Sequence, residues 1–262
     1  MKLHFYKFHG NGNDFIIIDN RDNTVVLSTS QIKNLCHRRF GIGADGLMML
    51  VNSDILDFEM VYYNSDGNIS SMCGNGGRCI AAFANMMGIV SKIMKFDAYD
   101  GAHKAVIENE TQSGFEWDIS LQLADIKDIE INNEFYFLDT GSPHYVKFVD
   151  NVADIDVNKE GKRIRDSYQF KPNGTNVNFV ELVNNRIIVR TFERGVEQET
   201  LSCGTGVTAA AIAVSLQTGQ KSVSVKTAGG NFKISFDFED DKFSNVWLRG
   251  PAKLVFEGNI NI

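Results

Sequence analysis

The chain has 262 residues, a formal net charge of −7 and a hydrophobic fraction of 43%. This composition suits one large or two ordinary hydrophobic cores. The absence of a long basic run argues against a nucleic-acid partner. The N-terminus lacks the apolar region of a signal peptide, and the apolar run at 207–216 is too short and too rich in alanine to span a bilayer. We therefore expect a cytoplasmic protein with no membrane partner.

In the first half, strand-like runs alternate with glycine turns. The pattern predicts two helices, at 30–40 and from the apolar run 80–88, and strands at 3–8, 15–19, 47–51, 58–63, 93–99, 105–109 and 115–123. Gly/Asn-rich loops at 9–14, 41–46 and 64–67 separate several of them.

The second half repeats this order of elements. Helices are expected at 159–168 and 207–219, and strands at 135–138, 145–149, 177–183, 186–192, 223–227, 232–238 and 246–248. A repeat this long indicates two similar domains rather than a solenoid. We place these domains at 1–124 and 125–252.

Two Cys-Gly-x-Gly turns mark the duplication most clearly. They begin at Cys73 and Cys203, 130 positions apart, and each leads into an alanine-rich apolar run. A helix without a polar face must be surrounded by other elements. Because strands form most of the remaining chain, we expect each half to wrap its sheet around its own central helix.

The position of these cysteines suggests proton transfer. At the first turn of a helix, unpaired N–H groups and the helix dipole favour thiolate over thiol, and the same N–H groups can hold a carboxylate. Two such turns can supply a base and an acid on opposite sides of a carbon next to a carboxylate. Fixed donors would then stabilise the extra negative charge of the planar intermediate.

Other interpretations of the cysteines compete with this one. A buried structural thiol is the ordinary role of a cysteine, and we favour it for Cys36 and Cys79. No disulfide is expected without signs of secretion, and no Cys-x-x-Cys or His pair indicates a metal site. Neither turn has a Walker A ending, and no dinucleotide fingerprint fits. A thiol redox protein and a non-catalytic binding protein remain as alternatives of a different class.

Three polar residues of the second half are further candidates. His144 follows the turn at 141–143, and Glu193 and Arg194 precede the second cysteine turn. Arg194 repeats the position of Asn64, since both lie nine residues before a cysteine. We expect both to line the ligand site, with Arg194 holding a second carboxylate through two N–H groups.

Taken together, the motifs along the whole chain resemble those of the diaminopimelate epimerase family. They lie at 7–15, 41–46, 64–67, 73–79, 141–144, 176–179, 193–195 and 203–206. The resemblance implies an α+β fold of two pseudo-symmetric domains, each a mostly antiparallel β-barrel wrapped around a central α-helix, with the active site in the interdomain cleft. It also implies a C-terminal tail, 253–262, that returns to the first domain, a homodimer, and catalysis without a cofactor or metal.

The same resemblance implies roles for individual residues. Cys73 and Cys203 are similar to the acid–base pair, and His144 and Glu193 to residues that tune the thiol pKa values. The substrate contacts that it implies are Asn13, Asn64, Gly74, Asn75, Asn176, Glu193, Arg194, Gly204 and Thr205. Gly46 and Ser142 are weaker candidates, because many members have Gln and Asn there. These two departures affect substrate recognition more than proton transfer.

The implied reaction is interconversion of LL- and meso-2,6-diaminopimelate in lysine biosynthesis by an isomerase independent of pyridoxal phosphate. A racemase of histidine, proline or hydroxyproline with the same architecture is the closest alternative. Asn75 argues against the proline group, which usually has His in the first turn. Arg194 argues for a substrate with a distal carboxylate, which histidine lacks.

Overall fold

The computed structural model describes residues 2–262, which form two compact units. Unit 1 contains the chain up to Leu121 and the segment Gly250–Ile262, and unit 2 contains Gln122–Arg249. The sequence pattern places the corresponding boundaries after residues 124 and 252.

Four α-helices and sixteen strands are found in the described part of the chain. The helices are α1 (Thr29–Cys36), α2 (Gly74–Met86), α3 (Val157–Arg165) and α4 (Gly204–Thr218). The strands are β1 (Lys2–Gly10), β2 (Asn13–Asp19), β3 (Gly46–Val51), β4 (Phe58–Asn64), β5 (Ile93–Ala98), β6 (Gly101–Glu110), β7 (Glu116–Gln122), β8 (Glu130–Ile131), β9 (Tyr136–Asp139), β10 (Pro143–Phe148), β11 (Asn176–Val183), β12 (Arg186–Glu193), β13 (Gln198–Thr200), β14 (Ser222–Thr227), β15 (Gly230–Glu239) and β16 (Lys242–Asn261).

Unit 1 is a closed barrel of eight strands. Strands β1 to β7 pair in chain order, and the C-terminal part of β16 closes the ring by pairing antiparallel with both β7 and β1. The neighbours β2–β3 and β4–β5 are parallel. Each parallel pair is joined by a crossover that contains a helix, α1 or α2, as parallel pairing requires.

Unit 2 repeats this order of hairpins and helix-containing crossovers. Its strand order is β16-β15-β14-β12-β11-β10-β9-β8, and β13 adds to β12. The parallel pairs are β10–β11 and β12–β14, whose crossovers contain α3 and α4. Hairpin, helix, hairpin, helix and hairpin therefore follow one another in both units, and the predicted α+β class with mostly antiparallel strands is confirmed.

The helices that follow the two cysteines lie inside their units. Every residue of α2 from Gly74 to Ala84 is buried, and α2 packs against β1, β2, β3 and β6. Helix α4 is buried from Gly206 to Ser215 and packs against β9 to β12, β14 and β15. The alanines of both helices allow the strands to approach closely. The predicted wrapping of each sheet around a central helix is confirmed.

Several element boundaries differ from the sequence-based expectation. Helix α1 ends at Cys36, not at residue 40, because His37 has an extended backbone (φ −68°, ψ 121°). The strand expected at 246–248 is the middle of the 20-residue β16. Within this strand, Gly250 and Pro251 both continue the pairing with β7. The short strands β8 and β13 were not predicted.

Among the described residues, no helix combines the length and the apolar character needed to cross a membrane.

Candidate active site

Cys73 occupies the position before the first residue of α2. Its backbone is extended (φ −102°, ψ 148°), and its Sγ accepts a hydrogen bond of 3.2 Å from the Gly76 N–H. The thiol thus takes the role of a helix-capping side chain. Because N–H groups and the positive end of the helix dipole meet at this point, negative charge on the sulfur is stabilised there.

Asn13 connects the start of β2 to this cysteine turn. Its Oδ1 accepts a hydrogen bond from Asn75 Nδ2 at 3.3 Å and lies 3.9 Å from Cys73 Sγ. Its Nδ2 donates to Asp45 Oδ2 at 2.7 Å, and Arg38 pairs with Asp45 at 2.6 Å. The carboxylate of Asp45 therefore determines that the amide oxygen of Asn13 faces the thiol. Asn13, Cys73 and Asn75 lie together, whereas the role of Asp45 was not predicted.

Arg78 is a fully buried cation one turn into α2. Its guanidinium donates to Asn11 Oδ1 at 2.7 Å, Asn75 Oδ1 at 2.9 Å and the Gly74 carbonyl at 3.0 Å. Burial lowers the pKa of Arg78 to about 10, so it remains charged at neutral pH. Arg78 ties the helix start to the β1–β2 turn. Arg78 was not predicted as a site residue. The signal that could have indicated it is its single charge next to an apolar helical run.

Asn64 and Gly46 are direct partners across β4 and β3. Asn64 is exposed at the end of its strand. A Cβ on Gly46 would lie 2.5 Å from Tyr62 Cε2 and 2.7 Å from the Tyr63 carbonyl oxygen. Position 46 thus has no room for a side chain.

Cys203 is the counterpart of Cys73 at the start of α4. Its backbone is extended (φ −126°, ψ 112°), and its Sγ lies 3.4 Å from Thr205 Oγ1. Thr140 Oγ1 donates to the Thr205 carbonyl at 2.9 Å and so ties this turn, which includes Gly204, to the end of β9. The Cys203 residue is 6% exposed.

Asn176, Ser142 and Arg194 form a second hydrogen-bonded group in unit 2. Asn176 Nδ2 donates to Ser142 Oγ at 2.9 Å, and an Arg194 guanidinium N–H donates to the same oxygen at 3.3 Å. Asn176 Oδ1 accepts from the Arg194 backbone N–H at 2.9 Å. The Ser142 hydroxyl thus holds both side chains.

His144 is completely buried on β10. Its Nδ1 lies 3.1 Å from Asn178 Nδ2, which can only donate, so Nδ1 accepts and the proton of the neutral ring is on Nε2. Burial, with a smaller effect of the Arg194 charge, lowers the pKa of His144 to about 3. Within residues 2–262, His144 Nε2 has no hydrogen-bond partner.

Asn178 links His144 to the inside of unit 2. Its Oδ1 accepts from Thr191 Oγ1 at 2.9 Å, and it would lie 2.4 Å from a Cβ on Gly206. Neither Asn178 nor Thr191 was predicted as a site residue. The spacing of Asn176 and Asn178 was the available signal, because residues i and i+2 of a strand share a face.

Glu193 ends β12 and is partly buried. Its Oε2 accepts a hydrogen bond of 2.8 Å from Thr200 Oγ1 on the neighbouring β13. This contact fixes the carboxylate within the strand pair β12–β13.

Cys36 and Cys79 are buried core thiols. Burial raises the pKa of Cys36 to about 11 and raises that of Cys79 further. The structural role expected for both agrees with this burial. In the described chain the four cysteines form no disulfide, and no group of three or more His, Cys, Asp or Glu side chains could hold a metal ion.

Solved structures with the same fold share little sequence with this chain. A phenazine biosynthesis protein of the PhzF family from Bacillus anthracis superposes with a TM-score of 0.77 at 15% identity, covering 100% of both chains. A probable proline racemase from Agrobacterium radiobacter superposes with a TM-score of 0.71 at 11% identity, covering 99% of this chain and 93% of its own. These similarities establish the fold alone.

Sequence relatives are much closer. A diaminopimelate epimerase from Flavobacterium psychrophilum is 48% identical over 99% of this chain and 100% of its own length. The enzyme of that name from Chlorobaculum tepidum is 40% identical over 97% and 99%. The family model described as diaminopimelate epimerase matches residues 5–118 and 136–255. The chain therefore belongs to the diaminopimelate epimerase family.

Proposed function

We propose that this protein interconverts LL- and meso-2,6-diaminopimelate by transferring a proton at one Cα, as an isomerase of lysine biosynthesis. The observation that carries the proposal is the pair of helix-opening cysteines, Cys73 and Cys203, in a chain 48% identical over its length to a protein named diaminopimelate epimerase.

In the proposed reaction, one thiolate removes the Cα proton and the other thiol donates a proton to the opposite face. When the Cα–H bond breaks, its electron pair stays on Cα, and the adjacent carboxylate takes up the negative charge. The new C–H bond then consumes that pair. No net oxidation occurs. The N–H groups at the starts of α2 and α4, from Gly74, Asn75, Gly204 and Thr205, are suited to binding that carboxylate.

The remaining site residues are proposed to bind the rest of the substrate. Diaminopimelate carries two carboxylates and two ammonium groups, so it needs donors and acceptors at both ends. Arg194, held beside Asn176 and Ser142, is suited to the distal carboxylate. Asn13 and Asn64 supply amide groups, and Glu193 supplies a negative charge for an ammonium group.

His144 and Glu193 are proposed to influence proton transfer indirectly. The neutral His144 ring presents a buried N–H at Nε2, which can donate to a negatively charged group without adding a positive charge. Glu193 precedes the second cysteine turn in the sequence. Its carboxylate, which accepts a hydrogen bond from Thr200, supplies negative charge.

A racemase of histidine, proline or hydroxyproline and a thiol redox protein are the competing functions. Relatives named diaminopimelate epimerase with 36–48% identity over nearly the full chain argue against both. The fold neighbours with proline-related names are only 11% identical and carry no substrate information.

We further propose that the enzyme works in the cytoplasm as a homodimer. The mechanism needs two reduced thiols, and a reducing compartment maintains them. Size-exclusion chromatography with light scattering tests the dimer.

The direct test is a chiral assay of the purified protein with LL-diaminopimelate, proline, hydroxyproline and histidine. We expect turnover of diaminopimelate alone, complete loss in Cys73→Ala and Cys203→Ala, and retention in the matched core variant Cys79→Ala. Turnover of another amino acid instead, or peroxide reduction without amino-acid turnover, would refute the proposal.

A further inference from the structure

The inner face of three unit 1 strands forms a small grid of side chains. Phe15, Gly46 and Asn64 are direct partners across β2, β3 and β4 and make one row. Ile17, Met48 and Tyr62 make the next row. Because side chains alternate between faces along a strand, both rows share one face, with Asn13 two residues before Phe15.

This face lies towards the first cysteine turn. A Cβ built on Gly76 of α2 would be 3.4 Å from Met48 Sδ and 3.5 Å from Phe15 Cζ, and 3.2 Å from Cys73 Sγ. The Tyr62 ring contacts Phe15 edge to face, with centroids 6.0 Å apart. The Phe15 ring therefore contacts Tyr62 and also lies next to the turn that Cys73 opens.

Gly46 leaves a gap in the middle of its row, and Tyr62 fills it. The Tyr62 hydroxyl oxygen lies 2.9 Å from the position of a Cβ on Gly46, and its ring carbon Cε2 lies 2.5 Å away. The Tyr62 side chain thus leans out of its own row and brings its hydroxyl into the row that contains Asn64. Even an alanine at position 46 would overlap the ring and the Tyr63 carbonyl.

We infer that Tyr62 is a substrate-binding residue whose hydroxyl occupies the side-chain position that Gly46 leaves empty in the row of Phe15 and Asn64. The inference rests on the proposed function and adds a residue to the recognition of the same amino-acid substrate. A phenol hydroxyl both donates and accepts, so it can contact either a carboxylate or an ammonium group of that substrate. Because the Tyr62 residue is only 7% exposed, its ring is held in place and little side-chain entropy is lost on binding.

The test compares Tyr62→Phe with Tyr63→Phe. Tyr63 is the adjacent residue of β4, and its side chain packs on the opposite face of the sheet, against the cluster that includes Leu47 and Met49. Each variant loses one hydroxyl from the same strand, so a general effect on the sheet would appear in both. Thermal unfolding and circular dichroism verify that both are folded.

We expect Tyr62→Phe to lower kcat/KM for diaminopimelate about fivefold to tenfold, through a higher KM at nearly unchanged kcat. Tyr63→Phe should remain within about twofold of the parent protein. Equal kinetics of Tyr62→Phe and the parent, or equal losses in both variants, would overturn the inference. An inactive parent protein would instead refute the proposed function, so the two failures are distinguishable.

Discussion

At the residue scale, the two cysteine turns have different surroundings despite their equivalent positions. Gly76 and Gly206 lie 130 residues apart, as do Met48 and Asn178. The sulfur of Met48 lies near Gly76, and the amide of Asn178 lies near Gly206. Gly76 of the first turn therefore lies against apolar side chains, whereas Gly206 of the second lies against the hydrogen-bonded group of His144, Asn178 and Thr191.

His144 makes the folded protein sensitive to acid. Its pKa is about 3 in the folded state against an ordinary value of 6.5, so only the unfolded chain binds a proton between these values. Stability is therefore lost as the pH falls from about 6.5 towards 3, with a slope of about 1.4 kcal/mol per pH unit from this residue. Denaturant unfolding at several pH values should show His144→Gln with a slope flatter by about that amount.

The matched control for His144 is His4→Gln, which changes an exposed ring on β1. This substitution removes an imidazole that lies outside the buried group of His144, Asn178 and Thr191. If His144→Gln and the parent protein lose stability in parallel between pH 6.5 and 4, His144 is not neutral and buried in the folded protein as described above.

At the scale of elements, the equivalent glycines Gly206 of α4 and Gly76 of α2 are packed unequally. A Cβ on Gly206 would meet Asn178 Oδ1 at 2.4 Å, whereas a Cβ on Gly76 meets nothing nearer than Cys73 Sγ at 3.2 Å. We expect Gly206→Ala to destabilise the protein by about 1–3 kcal/mol, because Asn178 is held by His144 and Thr191 and cannot move without breaking those bonds.

Gly76→Ala is the matched substitution at the equivalent position. Its unfolding free energy should change by less than about 1 kcal/mol, because the better helix propensity of alanine offsets a mild contact. Chemical denaturation measures both variants. An equal effect of the two substitutions would contradict the unequal packing of the two turns.

Sequence patterns predicted those elements well that depend only on residues close together in the chain. The cysteine turns, the apolar runs of α2 and α4 and the order of strands follow from spacing and composition. The end of α1 at Cys36 and the continuation of β16 through Gly250-Pro251 could not be predicted, since they depend on a cap conformation and on pairing with a distant strand. The pairs His144–Asn178 and Gly46–Tyr62 join separate strands, so no spacing along the chain indicates them.

At the scale of the whole molecule, the C-terminal strand completes the barrel of unit 1. Residues Leu254–Asn261 of β16 pair with β1, and Ile260 and Ile262 pack against a core cluster that includes Leu3 and Phe5. Removing residues 254–262 would turn β1 into an unpaired edge and expose these side chains. We expect a lower melting temperature and aggregation on heating.

Removal of Asn261 and Ile262 alone is the control for this truncation, because it leaves most of the β1–β16 pairing intact. Differential scanning calorimetry should show a much smaller decrease in melting temperature for it. Equal melting temperatures of the long truncation and the full chain would show that the barrel does not need its closing strand.

The proposal that the two halves of the chain supply one acid and one base is tested most directly by hydrogen isotope labelling. In D₂O, LL-diaminopimelate should yield meso product that carries one deuterium at the inverted Cα, while the LL substrate recovered at early times remains unlabelled. That result follows because the group that returns the proton differs from the group that removed it. Deuterium in the recovered LL substrate as early as in the product would indicate a single base and contradict the assignment of Cys73 and Cys203 to opposite faces.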